Sequence, residues 1–228
     1  MGFNRLVDAR FDAGNPRTSM RELPRGAMSM REAALFVAGS AAVFVYGASR
    51  LSTLCLLLSP VALAIVFWYS LAKRLTSYTQ LFLGLAMAVA PVGGWIAAGG
   101  SAGLEPWLLG LAIGLWVGGF DVLYACQDVD VDVRQGLRSI PTRFGIGRAI
   151  RISRIMHVAT IVVMAALWRA ADLPSTYLAG VAIVALLLAY EQSLVSERDL
   201  SQVKRAFDLN GYVGIIYFAA TAMSLYFG

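Results

Sequence analysis

Long apolar runs constrain this chain of 228 residues more than any other feature of its sequence. A helix needs about 20 mostly apolar residues to cross a bilayer, and seven runs approach that length, separated by connections too short for a soluble domain. Only 14% of residues are charged, against about 25% in soluble domains. We therefore predict an all-α, polytopic membrane bundle of about seven transmembrane helices. The predicted spans are residues 32–50, 52–70, 80–99, 104–126, 151–170, 174–194 and 210–227.

The basic residues indicate how this bundle lies in the membrane. All of the 19 Lys and Arg residues except Arg50 and Arg169 fall in the N-terminal segment or in alternate connections, which share one side if every run crosses. The positive-inside rule places that side in the cytoplasm. The net charge of +5 then reports topology, and we expect the lipid bilayer as a partner and no nucleic acid. We predict an integral protein of a bacterial inner membrane with its charged loops in the cytoplasm.

Four aspartates follow the fourth apolar run, at the end of a segment where bare carboxylates are costly. On a continuous α-helix, Asp128 and Asp132 lie within about 20° of Asp121, and Tyr124 lies about 60° away. Asp130 falls on the opposite side, where we expect it to be solvated. A solvated helix end is the alternative for the whole group, but the helix dipole disfavours acids at a C-terminus.

A second set of oxygen ligands stands at the start of the chain. Asn4, Asp8 and Asp12 follow one another at steps of four residues, which places them on one helical face. Carboxylate and amide oxygens are the ligands that Mg²⁺ prefers. Two such faces opposite each other could hold Mg²⁺ bridged by a diphosphate. That arrangement favours ionisation of a phosphorylated substrate, because the metal neutralises charge on the leaving group.

Basic side chains accompany both sets of aspartates. Arg17 follows the first set and Arg138 the second, while Lys73 and Arg74 end an apolar run on the same membrane side. Arg and Lys beside a metal–phosphate site bind phosphate oxygens. Contact with lipid headgroups is the alternative explanation for these cations.

Three stretches resemble the cytoplasmic-side motifs of the UbiA superfamily of intramembrane prenyltransferases: NRLVDARFDAGNPRT, YSLAKRLTSYTQLFLG and DVLYACQDVDVDVRQGLRSIPTRFG. The family motif NxxxDxxxD matches Asn4, Asp8 and Asp12. The motif YxxxDxxxD matches Tyr124, Asp128 and Asp132, and the preceding Asp121 fits the 4-hydroxybenzoate branch. The tail LVSERDLSQVKRAFDLNGYVGIIYF resembles 4-hydroxybenzoate polyprenyltransferases and their menaquinone-pathway relatives, so the resemblance covers essentially the whole chain.

The resemblance implies a Mg²⁺-dependent enzyme that transfers a polyprenyl group from an allylic polyprenyl diphosphate to an aromatic acid. The acceptor would be 4-hydroxybenzoate or a dihydroxynaphthoate of quinone biosynthesis. The implied metal ligands are Asp8, Asp12, Asp128 and Asp132. The implied substrate-binding residues, which hold diphosphate oxygens or order the loops, are Asn4, Arg17, Lys73, Arg74 and Arg138. Asp121 and Tyr124 would border the acceptor and, with Asp128, form the catalytic set.

The chain departs from the family pattern at its start. Members of the family have nine spanning helices and carry the first motif at the end of the second, whereas here the motif begins at Asn4. We therefore expect one prenyltransferase domain, residues 1–228, that is truncated at its N-terminus. Asn4 and Asp8 would then lack a positioning helix, and we expect weak activity or none. Arg10 also replaces an acid common in relatives.

Two other classes of function remain open. A non-catalytic membrane fragment would follow from the missing helices. A transporter also carries intramembrane acids, but those lie near the bilayer midplane, whereas these aspartates gather at one face.

Overall fold

The computed structural model describes residues 2–100 and 103–227, and it is helical without a β-strand in those ranges. Residues 1 and 228, the ends of the predicted domain, lie outside the described residues. The helices are α1 (Gly2–Ala13), α2 (Met30–Leu51), α3 (Thr53–Leu75), α4 (Thr79–Ala97), α5 (Glu105–Ala125), α6 (Val129–Arg134), α7 (Ile140–Phe144), α8 (Ile146–Ala170), α9 (Thr176–Ser193) and α10 (Val203–Phe227). A 3₁₀ turn, Cys126–Asp128, joins α5 to α6.

Six segments of the described chain are long and apolar enough to cross a membrane: α2, α3, α4, the α5–α6 unit, α8 and α9. The seventh predicted run falls in α10, which contains all of residues 210–227. The prediction of an all-α polytopic membrane bundle is therefore confirmed, with its count of about seven helices as an approximation. Most side chains of α2 are exposed and few of α3 are buried, as expected for helices that face lipid.

The helices pack mainly on their neighbours in sequence, which brings the ends of α1, α3 and α5 together. A single extended residue, Ser52, connects α2 to α3 and also caps α3 by accepting a hydrogen bond from the Cys55 amide. Helix α1 lies against α2 and α3, and α4 packs between α3 and α5. Helix α5 also packs on α8, while α9 and α10 complete the bundle and α10 returns to α5.

Small residues on α5 let its neighbours approach closely. A Cβ atom added to Gly84 of α4 would come closer than 3.0 Å to the carbonyl oxygen of Gly114. At Gly119 an added Cβ would lie 2.6 Å from Nε2 of His157 on α8. The Ser153 hydroxyl donates to the Gly119 carbonyl at 2.7 Å. Helix α5 is thus held firmly on two sides, and its C-terminal end carries the second group of aspartates.

Three helices extend beyond the apolar runs that predicted them. Helix α3 continues to Leu75, α8 begins at Ile146 and α10 begins at Val203. The added turns are amphipathic and contain most of the nearby cations. Hydropathy alone therefore ends α3 too early and begins α8 and α10 too late. The extension of α3 is what carries Lys73 and Arg74 on a helix toward α1.

Candidate active site

The first aspartate of the N-terminal set is buried against the end of α3. Asp8 is 2% exposed, and its two oxygens lie 3.0 Å from Lys73 Nζ and 3.1 Å from an Arg74 amine. Asn4 donates its side-chain amide to Asp8 at 2.9 Å, so these two residues share a face of α1 as the spacing predicted. Both residues lie on α1, which packs against α2 and α3, while the expected truncation at the N-terminus stays a prediction.

The second aspartate of this set, Asp12, is paired with a residue of the following loop. One Arg21 amine lies 2.8 Å from both carboxylate oxygens of Asp12. The Thr18 hydroxyl donates to the Asp12 backbone carbonyl at 3.0 Å. These contacts fold loop 14–29 back onto the end of α1.

The same loop reaches the second group of aspartates. Arg17 donates to both oxygens of Asp128, from Nε at 3.0 Å and from a terminal amine, and it also donates to the Tyr124 hydroxyl at 2.7 Å. Asn15 donates to Asp128 at 3.0 Å. Burial lowers the pKa of Arg17, but its hydrogen bond to Asp128 and the charge of that carboxylate outweigh burial and raise the pKa. Arg17 is therefore a fixed positive charge between the two sets.

The charge of Lys73 also acts on two carboxylates of the second set. Asp121 and Asp132 are both half-buried, and both lie close enough to Lys73 for its charge to act on them. The Tyr69 hydroxyl, one turn before Lys73 on α3, lies within electrostatic reach of Asp121 and of Asp8. Residues from α1, α3 and the α5–α6 unit thus converge at one end of the bundle.

The 3₁₀ turn changes how the second set is displayed. The predicted angles assumed one continuous α-helix through Asp132, but the turn Cys126–Asp128 interrupts it. Asp130 is nevertheless exposed while Asp128 and Asp132 are half-buried, so the expected separation of Asp130 from the others holds. The tighter winding of a 3₁₀ turn rotates Asp128 relative to α5, where it meets Arg17.

Arg138 lies beside this site and contacts no carboxylate in the described structure. Its side chain is exposed and donates to the Leu75 carbonyl at 2.9 Å, while its backbone amide donates to the Lys73 carbonyl at 2.8 Å. These bonds cap the last turn of α3. Arg138 therefore orders the loop behind Lys73, and its predicted role as a diphosphate ligand stays a prediction.

Three residues at this site were not among those selected from the sequence. They are Asn15, Arg21 and Tyr69, which contact or face the predicted aspartates. Tyr69 precedes Lys73 by four residues, the same spacing that identified the aspartate sets, and this signal could have found it. Asn15 and Arg21 lie in a loop, where helical spacing gives no information.

The donor set suits Mg²⁺ in its chemistry, although no three such ligands gather closely enough to hold an ion together in the described residues. Carboxylate oxygens are the donors that Mg²⁺ prefers. Asp8, Asp12 and Asp128 each face an Arg or Lys side chain instead. Those cations are the groups that bind diphosphate oxygens, so the residues fit a metal and a diphosphate that arrive together.

Comparison with known proteins agrees with this geometry. The UbiA prenyltransferase family model matches residues 1–220. A 4-hydroxybenzoate octaprenyltransferase of Enterobacter sp. (strain 638) is 35% identical over 222 residues, which cover 97% of this chain and 76% of the relative. The chain belongs to the UbiA prenyltransferase family.

Two solved structures share the fold. A UbiA homolog from Aeropyrum pernix K1, determined in its apo form, superposes with a TM-score of 0.90 and 36% identity, covering 99% of this chain and 84% of that one. A UbiA homolog from Archaeoglobus fulgidus bound to DMAPP and Mg²⁺ has a TM-score of 0.62 at 20% identity, covering 97% and 82%. The second likeness concerns the fold alone.

Proposed function

We propose that this protein transfers a polyprenyl group from an allylic polyprenyl diphosphate to an aromatic acid, as a step of quinone biosynthesis. One observation carries the proposal: two aspartate sets more than 100 residues apart meet at one end of the bundle, where Asn15 and Arg17, just after α1, bind Asp128 and where Gln135 donates to the Phe11 carbonyl. The name of the Enterobacter relative favours 4-hydroxybenzoate as acceptor. A dihydroxynaphthoate is the second candidate, which belongs to menaquinone formation.

The ion pairs supply the groups that a metal-bound diphosphate needs. Asp8, Asp12, Asp128 and Asp132 would hold Mg²⁺, which neutralises the negative charge of the leaving group when bound. A homolog of the same fold was solved with DMAPP and Mg²⁺, which makes Mg²⁺ and a prenyl diphosphate the ligands to test. The partners of those carboxylates, including Arg17, Arg21, Lys73 and Arg74, would turn to the diphosphate oxygens. Asn4 orients Asp8 through its amide.

The residues around Asp121 suit the transfer itself. The bond between the allylic carbon and the diphosphate oxygen breaks, and its electron pair leaves with the diphosphate, held by Lys73 and Arg17. A ring carbon of the acceptor forms the new bond to the allylic carbon. The ring proton then passes to the carboxylate of Asp121, which is half-buried and lies one turn before Tyr124 on α5. Tyr124, fixed by Arg17, borders the acceptor.

The location of the site follows from the basic loops. Lys73, Arg74 and Arg138 end or follow α3 on the same side as Arg17, and the positive-inside rule makes that side cytoplasmic. We place the protein in a bacterial inner membrane with its acids at the cytoplasmic face and residues 1–228 acting as one prenyltransferase domain, truncated at its N-terminus. The prenyl chain would enter from the hydrocarbon region.

A transfer assay tests the proposal. The purified protein in detergent is incubated with radiolabelled geranyl diphosphate, Mg²⁺ and a panel of aromatic acids, and prenylated products are counted after extraction. We expect product with 4-hydroxybenzoate and a fall of about 10² in rate for Asp128→Asn, the order found for losing one charge-stabilising group. The matched control is Asp130→Asn, which alters an exposed carboxylate two residues away and should change the rate less than about twofold.

The outcomes separate the alternatives. Absence of transfer to every acceptor would favour a non-catalytic membrane protein. Accumulation of a labelled ion or solute in proteoliposomes, without any prenyl transfer, would favour a transporter. Equal losses for Asp128→Asn and Asp130→Asn would contradict the arrangement of the second aspartate set.

A further inference from the structure

A row of aromatic side chains leads from the candidate active site toward the interior of the bundle. Trp116, Phe120 and Tyr124 lie at steps of four residues on α5, and Phe207 of α10 packs between the last two. Neighbouring ring centroids are 6.0, 5.4 and 4.5 Å apart along the row. The three α5 rings are half-buried, so each presents a free surface beside its packed one.

The two ends of this aromatic row have different partners. At the Tyr124 end, Arg17 donates to the hydroxyl and stacks 4.8 Å from the ring centroid while it also binds Asp128. At the other end, the Trp116 indole N–H donates to the side-chain carbonyl of Asn210 at 2.6 Å. Eight residues of α-helix separate the ends, which corresponds to about 12 Å along α5.

Asn210 is built to hold the indole in one orientation. It is 8% exposed, and its amide donates to the carbonyls of Ala206 at 3.3 Å and Phe207 at 3.2 Å. With both amide directions fixed, the Asn210 carbonyl oxygen can only point toward Trp116.

We propose that Trp116, positioned by Asn210, determines how tightly the protein binds the part of the donor chain beyond its first isoprene unit. The inference rests on the proposed function, because it takes the diphosphate to lie at Arg17 and Asp128. From there the chain must run into the apolar interior, and the aromatic row offers an exposed apolar surface in that direction. A five-carbon dimethylallyl group is too short to reach Trp116, whereas geranyl and longer chains extend along the row.

An apolar cavity of about 180 Å³ between α1, α2 and α3 is the competing path. It is lined by residues that include Phe3 and Phe67, whose rings are 4.4 Å apart. None of the recorded hydrogen bonds of Arg17 reaches that lining within the described residues. The aromatic row, by contrast, begins at the same arginine that binds Asp128, so it is continuous with the diphosphate end of the site.

Binding measurements test this inference without requiring transfer. The purified protein in detergent with Mg²⁺ is titrated by calorimetry with inorganic, dimethylallyl, geranyl and farnesyl diphosphate. We expect Trp116→Ala to lower the affinity for geranyl and farnesyl diphosphate roughly tenfold, the order for losing contact with a few methylene groups. The affinity for inorganic and dimethylallyl diphosphate should change by less than about twofold. Phe67→Ala is the control for the competing cavity.

A second comparison isolates the positioning role of Asn210. Trp116→Phe keeps an aromatic ring but removes the N–H donor, and Asn210→Leu removes the acceptor. Each substitution should lower the affinity for farnesyl diphosphate by about threefold to tenfold. The double variant should bind this ligand no more weakly than either single variant, because the two substitutions remove the same contact. Trp168→Phe is the matched control, since the indole nitrogen of Trp168 has no hydrogen-bond partner in the part of the chain that the structure describes.

The inference would be overturned if Trp116→Ala lowered the affinity for all four ligands equally. It would also be overturned if Phe67→Ala lowered the affinity for the longer donors and Trp116→Ala did not. Additive effects of Trp116→Phe and Asn210→Leu would overturn the role of Asn210. Transfer is measured separately in the assay above, so an intact transferase that shows no change in chain-length preference refutes only this inference. Absence of transfer by a protein that discriminates chain lengths refutes only the proposed reaction.

Discussion

The contact between Gly84 and Gly114 sets how closely α4 approaches α5, and an added methyl group measures it. A Cβ atom at Gly84 would lie closer than 3.0 Å to the Gly114 carbonyl oxygen and 3.1 Å from its carbon. Both of those atoms are backbone, so no side chain can rotate away. Ordinary contact begins at 3.4 Å, and Gly84→Ala therefore forces the two helices apart by roughly 0.5 Å or more, which forfeits a quarter or more of each pairwise attraction across the contact.

The same helix provides a control for the backbone effect of alanine. An added Cβ at Gly94 of α4 meets nothing within 4 Å, so Gly94→Ala gains only helix propensity, about 1 kcal/mol. Gly84→Ala gains the same amount but carries an overpacking cost of about 1–3 kcal/mol. The difference between the two variants isolates that cost. The Cβ of Gly114→Ala would lie 3.1 Å from the Gly84 carbonyl oxygen, so the stability of this variant should fall between those of Gly94→Ala and Gly84→Ala.

Thermal unfolding in detergent, followed by circular dichroism, checks this order. We expect melting temperatures to decrease from Gly94→Ala to Gly114→Ala to Gly84→Ala, with about 2–4 °C for each kcal/mol in a chain of this size. Gly84→Ala should also slow transfer, because α5 carries Asp121 and Tyr124. Equal melting temperatures for Gly84→Ala and Gly94→Ala would refute the steric argument.

Three further changes test the ion pairs of the active site. Arg17→Lys removes the forked contact with Asp128 and the donor to Tyr124, so the KM for the prenyl donor should rise about tenfold; an unchanged KM in steady-state kinetics would contradict the role of Arg17. Among the described residues, Lys73→Met leaves Asp8 with Arg74 as its only ion-pair partner. The free energy of unfolding, measured by thermal unfolding, should fall by at most about 1–3 kcal/mol, because Lys73 is 27% exposed. Chelation with EDTA should abolish transfer but leave the melting temperature unchanged, because the protein's own cations hold the carboxylates; a lower melting temperature would show that the metal supports the fold.

The apolar runs predicted the positions of the spanning helices but not their ends. Helix α2 agrees with its run to within two residues at each end, because both of its flanks are polar. Helix α10 begins seven residues before its run, since its first turns alternate charged and apolar residues. Hydropathy averages such a turn to a polar value, although one of its faces is buried, as Val203 and Ala206 are.

The aspartate sets were predictable from spacing, and their partners were not. Steps of four residues placed Asn4 with Asp8, and the structure joins them by a hydrogen bond. The pairing of Asp128 with Arg17 spans 111 residues and involves a loop, which helical periodicity cannot describe. The 3₁₀ turn before α6 also has no apolar signature, because it contains only Cys126, Gln127 and Asp128.

Under the proposed function, the ion pairs of the candidate active site would make the binding of metal and of diphosphate depend on each other. A magnesium ion that arrives alone competes with the cations on Asp8 and Asp128, and a diphosphate that arrives alone competes with the carboxylates for those same cations. When both bind, the carboxylates released from their ion pairs bind the metal, and the released Arg and Lys side chains bind the diphosphate. The two ligands should therefore bind with positive cooperativity, and each should raise the affinity for the other by the same factor. A cell that lacks the prenyl donor would then leave this site largely free of metal.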